Sequence, residues 1–341
     1  MTQPAGIALV GAGAFGEFCL AAFAQLAEAR IAAIADTDAA RAERFARQYG
    51  ARACTQLADV LADPDVSIVA LNTPPHLHAR QGLAVAQAGR HLFCEKPLAL
   101  NVAEGEALSQ AFDAAGTLLT VNYVMRQNPL WKLAADLRQS GVVGDLLHMD
   151  LANHAAGRDL PPHHWFWDRA RSGGIWVEHG VHFFDAFAWV AGEAGNVLAS
   201  DAIAPQRVAC LARYGTTMAH FYHGFTHSGR DEQTTVQLTF ERAHITLSGW
   251  VPTYVSILAD VEPHHLEGLM PERYTLSEAR GGRWLLTATL GDKSAAYTES
   301  IQAGMRNLIA AIHQQEALHV TAAQGLASLR MAEQATNLVK A

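Results

Sequence analysis

Short apolar runs alternate with amphipathic stretches through the first third of the chain. Gly6–Val10, Ile31–Ala35, Val66–Leu71, His91–Cys94 and Thr117–Val121 are runs of four to six mostly apolar residues. Runs of that length, with no polar phase, suit strands buried on both faces. Between them lie patterns of helical period. One Ala/Leu/Phe-rich stretch follows Gly16 to about Ala29. Another runs from about His76 to Ala88 and ends at Gly89, a residue suited to a helix C-cap, and a third covers about Val102 to Ala115. Strands alternating with helices imply a parallel sheet covered by helices.

The pattern changes near Leu146. Leu147–His154 alternates apolar with polar, as do Arg207–Tyr214, Thr217–Tyr222, Thr234–Thr239, His244–Ser248, Tyr254–Leu258 and Arg283–Ala288. Period two over such lengths predicts half-buried strands. One clear helix, about Val177 to Val190, interrupts them early. The expectation is an α/β domain over 1–122, followed by an α+β domain over 123–341 with a large, mostly antiparallel open sheet. Two amphipathic helices, Ser300–His313 and Ala322–Val339, close the chain, the last expected to pack back near the first domain.

The first domain carries a phosphate-binding pattern. Gly11-Ala12-Gly13-Ala14-Phe15-Gly16 follows the first strand and opens the first helix, matching G-x-G-x-x-G. Gly11 permits a tight turn, Gly13 a close approach of backbone to a pyrophosphate, and Gly16 close packing of helix on strand. The backbone of Ala14 and Phe15 lies at the helix N-terminus, where unpaired N–H groups attract an anion. Asp36 ends the second strand, twenty residues after Gly16, where a carboxylate can accept the hydroxyls of an adenosine ribose. It also repels a 2′-phosphate, Asp38 adds negative charge, and Arg41 is the only close cation. NAD is expected over NADP. Thr73-Pro74 and Glu95-Lys96-Pro97 fall at the carboxyl ends of further strands, where open α/β sheets bind ligands.

Composition removes other classes. The chain has 341 residues, 50% of them hydrophobic and 17% charged, which fits two globular domains. A net charge of −8 with no dense basic stripe argues against nucleic acid, and no apolar run is long enough to span a membrane. The N-terminus lacks the basic start of a signal peptide. Four cysteines stand singly, with no C-x-x-C pair, so a reducing cytoplasm is the expected location. Seventeen histidines gather mainly between His148 and His265.

At Cys94-Glu95-Lys96-Pro97-Leu98-Ala99 the chain resembles the glucose–fructose oxidoreductase / inositol dehydrogenase / MocA (Gfo/Idh/MocA) family. The resemblance extends over nearly the whole chain. It takes in the glycine loop, Thr73-Pro74-Pro75 with His78, and the Arg126-containing crossover Asn122–Pro129. It also takes in Gly141–Gly144 and the segment Ser172-Gly173-Gly174 with Gly180-Val181-His182-Phe183-Phe184-Asp185. One position departs: Glu178 stands where many members carry the first Asp of D-x-G-x-H, which lengthens the side chain by about 1.5 Å.

The resemblance implies a dehydrogenase that moves a hydride between nicotinamide and a secondary alcohol or ketone of a sugar, sugar acid or cyclic polyol. It implies that Lys96 and His182, with Glu178 orienting the imidazole from i, i+4, manage the hydroxyl proton. Gly11, Gly13, Ala14, Phe15, Gly16, Asp36, Thr73, Pro74, His78, Glu95 and Lys96 would hold the cofactor. Arg126, Trp165, Trp167 and His179 are candidates for the substrate, Arg126 alternatively securing the crossover and the tryptophans alternatively serving core packing. His163, His164, His179, Glu178 and His182 lack zincin spacing, so no metal is expected. His220, His223, His227, His264 and His265 are read as surface or interface residues. The open sheet is expected to make a homodimer or homotetramer. Two other readings fit the same residues. One is a lyase or hydrolase assisted by transient oxidation on tightly bound NAD. The other is a nucleotide-responsive protein without catalysis.

Overall fold

The computed structural model describes residues 4–204 and 206–339. The chain divides into two compact units. The first holds the described residues up to Val124, with Arg169–Gly173 and Thr298–Leu329. The second holds Met125–Asp168, Gly174–Tyr297 and the described residues from Arg330.

In the first unit six strands, β1 (Ala5–Val10), β2 (Ala29–Ala35), β3 (Arg52–Cys54), β4 (Ile68–Leu71), β5 (His91–Cys94) and β6 (Leu119–Val121), form a parallel sheet in the order β3-β2-β1-β4-β5-β6. This is the doubly wound order, with the switch point between β1 and β4. The strand cores are fully enclosed: Ile7, Leu9, Ile34, Ile68, Val69 and Leu92 expose no surface. The first helix, Ala14–Phe23, is shorter than its composition predicts, because β2 already begins at Ala29. A helix at Ala39–Tyr49, capped by Asp38 and closed by left-handed Gly50, leads into β3. Residues from the end of the chain return to this unit. Thr120 Oγ1 donates to Val320 O at 2.8 Å, Tyr123 Oη and Ser328 Oγ share a 2.6 Å hydrogen bond, and Gln302 Nε2 donates to Ala22 O at 3.0 Å.

The second unit is built on nine strands: β7 (Leu146–Ala156), β8 (Asn196–Ala202), β9 (Arg207–Tyr214), β10 (Thr217–His227), β11 (Gln233–Phe240), β12 (Ala243–Ser248), β13 (Tyr254–Ala259), β14 (Tyr274–Ala279) and β15 (Arg283–Thr289). Their order is β14-β15-β13-β12-β11-β7-β10-β9-β8. Of the ladders described, β7–β10 is parallel and the others are antiparallel. One face is apolar, with Met149, Leu151, Phe221, Val236, Leu238 and Ile245 buried. The helix Val181–Ala191 contributes Phe184 and Phe187, whose rings lie 4.8 and 4.6 Å from Phe221. A further helix, Pro129–Ser140, starts where Asn128 accepts hydrogen bonds from the N–H groups of Leu130 and Trp131, with Pro129 in its first turn. Left-handed Gly141 closes it.

Candidate active site

The glycine loop fits a dinucleotide on its own geometry. Gly11 has φ +93°, and a Cβ there would lie 2.7 Å from Asn72 O, so the loops after β1 and β4 pass too closely for any side chain. A Cβ on Gly16 would sit 2.1 Å from Gly11 O, which is why the helix packs tightly on β1. Gly13 differs: a Cβ there would meet nothing within 4 Å. Its missing side chain leaves open space in front of the helix N-terminus, which has no side-chain cap. Uncapped N–H groups facing open space make a cradle for an anion.

Asp36 stands beside that cradle. Its Oδ2 accepts from Ala12 N–H at 2.9 Å and its Oδ1 from Asp38 N–H at 2.8 Å. Arg41, the close cation of the sequence, reaches back from the next helix. Its Nη1 lies 3.3 Å from each Asp36 oxygen and its Nη2 3.3 Å from Asp38.

Thr73 and Pro74 follow β4, and Thr73 Oγ1 donates to Gln81 Oε1 at 2.6 Å. His78 is fully buried, and its two ring nitrogens lie 2.7 Å from Pro97 O and from Thr73 O. It braces the loop after β4 against the loop after β5. Burial holds its pKa below the ordinary imidazole value, the two carbonyls opposing and the Lys96 charge assisting. Glu95 is buried and accepts a hydrogen bond from Asn122 Nδ2. Lys96 is half-buried at the end of β5.

In the second unit the predicted helix begins differently. Trp176–Gly180 is a turn of π-helix, and α-helix starts only at Val181. Glu178 and His182 therefore straddle a widened turn instead of lying i, i+4 on a regular helix face. Such turns recur at functional sites because they re-aim side chains. Gly180 makes this one possible, since a Cβ would lie 2.8 Å from the Trp176 ring. Glu178, His179 and His182 are all buried.

Aromatic rings enclose the two histidines. Trp250 lies 4.7 Å from the His182 ring and 5.6 Å from His179, while Phe225 and His223 lie 5.1 and 5.4 Å from His179. Trp167 and Phe166 pack on Phe225, extending this wall. Trp165 instead touches Phe166 and His164.

His223, expected at the surface, is fully buried. It belongs to a polar row crossing three strands on the otherwise apolar sheet face. Thr234 Oγ1 donates to Asn153 Oδ1 at 2.9 Å, and Asn153 Nδ2 lies 3.0 Å from His223 Nδ1. Burial, and secondly the neighbouring His179, hold the His223 pKa well below 6.5.

Arg126 is paired with Asp185. Its Nε and Nη2 donate to the two Asp185 oxygens at 2.8 and 2.9 Å, and its guanidinium lies over Trp189. Both side chains are buried, so the fork is spent on the helix Val181–Ala191. Burial raises the Asp185 pKa, and Arg126 opposes it.

Sequence reasoning missed Trp250, Phe225, Asn153 and Thr234. Asn153 and His223 had a usable signal: each is a polar residue in the apolar phase of an alternating strand.

Two family descriptions match the chain. "Oxidoreductase family, NAD-binding Rossmann fold" matches residues 5–123, and "GFO/IDH/MocA C-terminal domain" matches residues 131–256. A 4-carboxy-2-hydroxymuconate-6-semialdehyde dehydrogenase from Sphingobium sp. is 32% identical over 58% of this chain and 61% of its own length. A dTDP-3,4-didehydro-2,6-dideoxy-alpha-D-glucose 3-reductase from Saccharopolyspora spinosa is 28% identical over 67% of this chain and 71% of its own. The chain spans 35% of an uncharacterized oxidoreductase from Rhizobium meliloti, to which it is 35% identical over 34% of its own length, and 55% of another from Bacillus subtilis. Among solved structures, levoglucosan dehydrogenase with NADH and L-sorbose superposes with TM-score 0.83 at 19% identity, over 98% of this chain and 97% of that one. GenD2 from gentamicin A biosynthesis, in complex with NAD, gives 0.79 at 21%, over 99% and 95%. Both show the fold.

Proposed function

The chain belongs to the Gfo/Idh/MocA family of oxidoreductases, and from that footing we propose an NAD-dependent dehydrogenase acting on a secondary alcohol or ketone of a sugar, sugar acid or cyclic polyol. The observation that carries this reading is the buried Glu178, His179 and His182 group on its π-turn, enclosed by aromatic rings. A buried group of ionisable side chains facing aromatic walls is a candidate site for handling charge or protons.

NAD, when bound, supplies the hydride acceptor at nicotinamide C4. The N–H groups after Gly13 would hold its pyrophosphate and Asp36 its adenosine ribose, the carboxylate favouring NAD over NADP. His78 sets the loops bearing Thr73 and Lys96. His182, with Glu178 keeping its charge balance, takes the hydroxyl proton as the alcohol is oxidised, and Lys96 is the second ionisable group that the family resemblance assigns to the reaction. Trp250, Trp167 and Phe225 offer flat apolar surface to the C–H face of a ring while excluding water. The outer face of the nine-stranded sheet would serve a dimer or tetramer. Four buried, unpaired cysteines suit a cytoplasmic setting, and no helix among the described residues is long and apolar enough to cross a membrane.

The test is a panel of sugars, sugar acids and polyols with each cofactor, read by NADH absorbance. On the substrate so found, Lys96→Met should lower kcat by roughly 10²–10⁴-fold while NAD still binds, and His182→Ala should do likewise and remove the rise of oxidation rate with pH. Near-normal kcat in both variants contradicts the assignment.

A further inference from the structure

The polar face of the nine-stranded sheet holds a histidine and carboxylate cluster unconnected with the residues above. On β7, His148 and Asp150 point away from the buried face that carries Met149, Leu151 and Asn153. On β10, His220 does the same between buried Ala219 and Phe221. The parallel register sets His220 opposite Asp150 and two pairs along from His148, which faces Met218. His148 Nε2 lies 3.0 Å from His220 Nδ1, and Asp150 Oδ2 lies 3.9 Å from the same His220 atom. The three donor atoms fall within 4.8 Å of one another.

We propose that His148, Asp150 and His220 bind a divalent transition-metal ion of the zinc or nickel class. Two imidazole nitrogens each about 2.0–2.1 Å from one ion stand about 2.9 Å apart at a right angle and about 3.3 Å apart at the tetrahedral angle. The observed 3.0 Å falls in that interval. Without an ion, one ring N–H must donate to the other ring. Binding requires a lone pair on both, so the donor ring moves its proton to its other nitrogen and no proton is lost. Asp150, being part-exposed, reaches the same point by a side-chain rotation. Two imidazoles and one carboxylate favour zinc, nickel or copper over magnesium or calcium, which take oxygen ligands. All three donors come from one chain, so the site is complete without a second copy, and water takes the remaining position.

The location gives the ion a structural effect. It would clip β7 to β10, the parallel ladder of this sheet, and parallel pairs are slightly weaker per residue than antiparallel ones. The two strands are also far apart in sequence, so the ion closes a long loop. Anything that binds only the folded chain raises its stability.

The experiment uses the full chain without a polyhistidine tag, stripped with a chelator and titrated with Zn²⁺ by calorimetry and with Co²⁺ by visible absorbance. One ion per chain at micromolar affinity is expected, with a Tm rise of about 2–5 °C at saturation. His148→Ala and His220→Ala should each weaken binding at least about 50-fold and cancel the Tm rise, and Asp150→Asn should weaken it about tenfold. His220 is exposed while His148 and Asp150 are half-buried, and unchanged urea midpoints in chelator verify that the variants fold. His182→Ala should leave zinc binding as it was. Undiminished one-ion binding in the His148→Ala/His220→Ala double variant, its loss in His182→Ala, or affinity weaker than millimolar in the unaltered chain would each overturn the proposal.

Discussion

Two aspartate–arginine pairs, one in each unit, are built from the same residue types and do opposite things. Asp36 and Arg41 meet at 3.3 Å, with the Arg41 side chain 40% exposed. Asp36 also takes two backbone N–H groups, so it does not depend on the arginine. Asp185 and Arg126 form a two-pronged bridge at 2.8 and 2.9 Å, with the Arg126 side chain 7% exposed. Arg41 can swing into water at little cost, which leaves the carboxylate available to a ligand hydroxyl. Arg126 has nowhere to go, and each partner would be a buried lone charge without the other. Exposed pairs contribute about 0–1 kcal/mol, whereas removing one partner of a buried pair costs about 3–5 kcal/mol. The lesson is that an acidic residue in a sequence motif is a ligand site only where its cation is free to leave.

The largest way to break the contrast is Arg126→Ala. It should lower unfolding stability by about 3–5 kcal/mol in urea titration, and replacing both partners by apolar residues should recover most of that. A loss under about 1 kcal/mol would place Arg126 outside the framework and return it to the ligand side.

The next effect is on acid stability. Burial depresses the folded-state pKa of His78 and His223 below the imidazole value of about 6.5 expected in the unfolded chain. The unfolded chain therefore binds protons first as pH falls. The stability these two contribute is complete above about pH 6.5 and is lost as pH drops below it. Urea midpoints at pH 8, 7, 6 and 5 should fall only across the lower part of that series, and His223→Gln should make the fall shallower. A midpoint that rises on acidification contradicts the buried, neutral state of both rings.

The smallest effect is that of Arg41→Ala. Stability should change by less than about 1 kcal/mol, while any residual NADP affinity should weaken, because Arg41 is the cation nearest Asp36. A loss as large as that of Arg126→Ala would erase the distinction between the pairs.

The first unit was the more legible because its strands are buried on both faces and read as unbroken apolar runs. His91–Cys94 and Val102–Ala115 coincide with the observed strand and helix. β3 escaped because it has three residues, two of them exposed. In the second unit β8 and β14 lie at the sheet edges and are mostly exposed, so neither shows the alternation that marks a half-buried strand. The helix Pro129–Ser140 did carry signals, Asn128-Pro129 before it and Gly141 after it, which the motif at Arg126 obscured. The π-turn at Trp176–Gly180 has no period of its own to read. Trp250 lies in a turn between β12 and β13, and only the tertiary fold sets it over His182. His148 and His220 likewise meet through the β7–β10 register, which the strands' separate patterns do not encode.

Paired fluorescence titrations of NADH and NADPH test the proposed assignment of Asp36 to the cofactor ribose. These are run on the unaltered chain and on the Asp36→Ser/Thr37→Arg variant. NADH should bind the unaltered chain at least about tenfold tighter than NADPH, a difference of about 1.4 kcal/mol, and the variant should narrow or reverse that gap. Equal dissociation constants for the two cofactors in the unaltered chain, or a gap the variant leaves untouched, would contradict it.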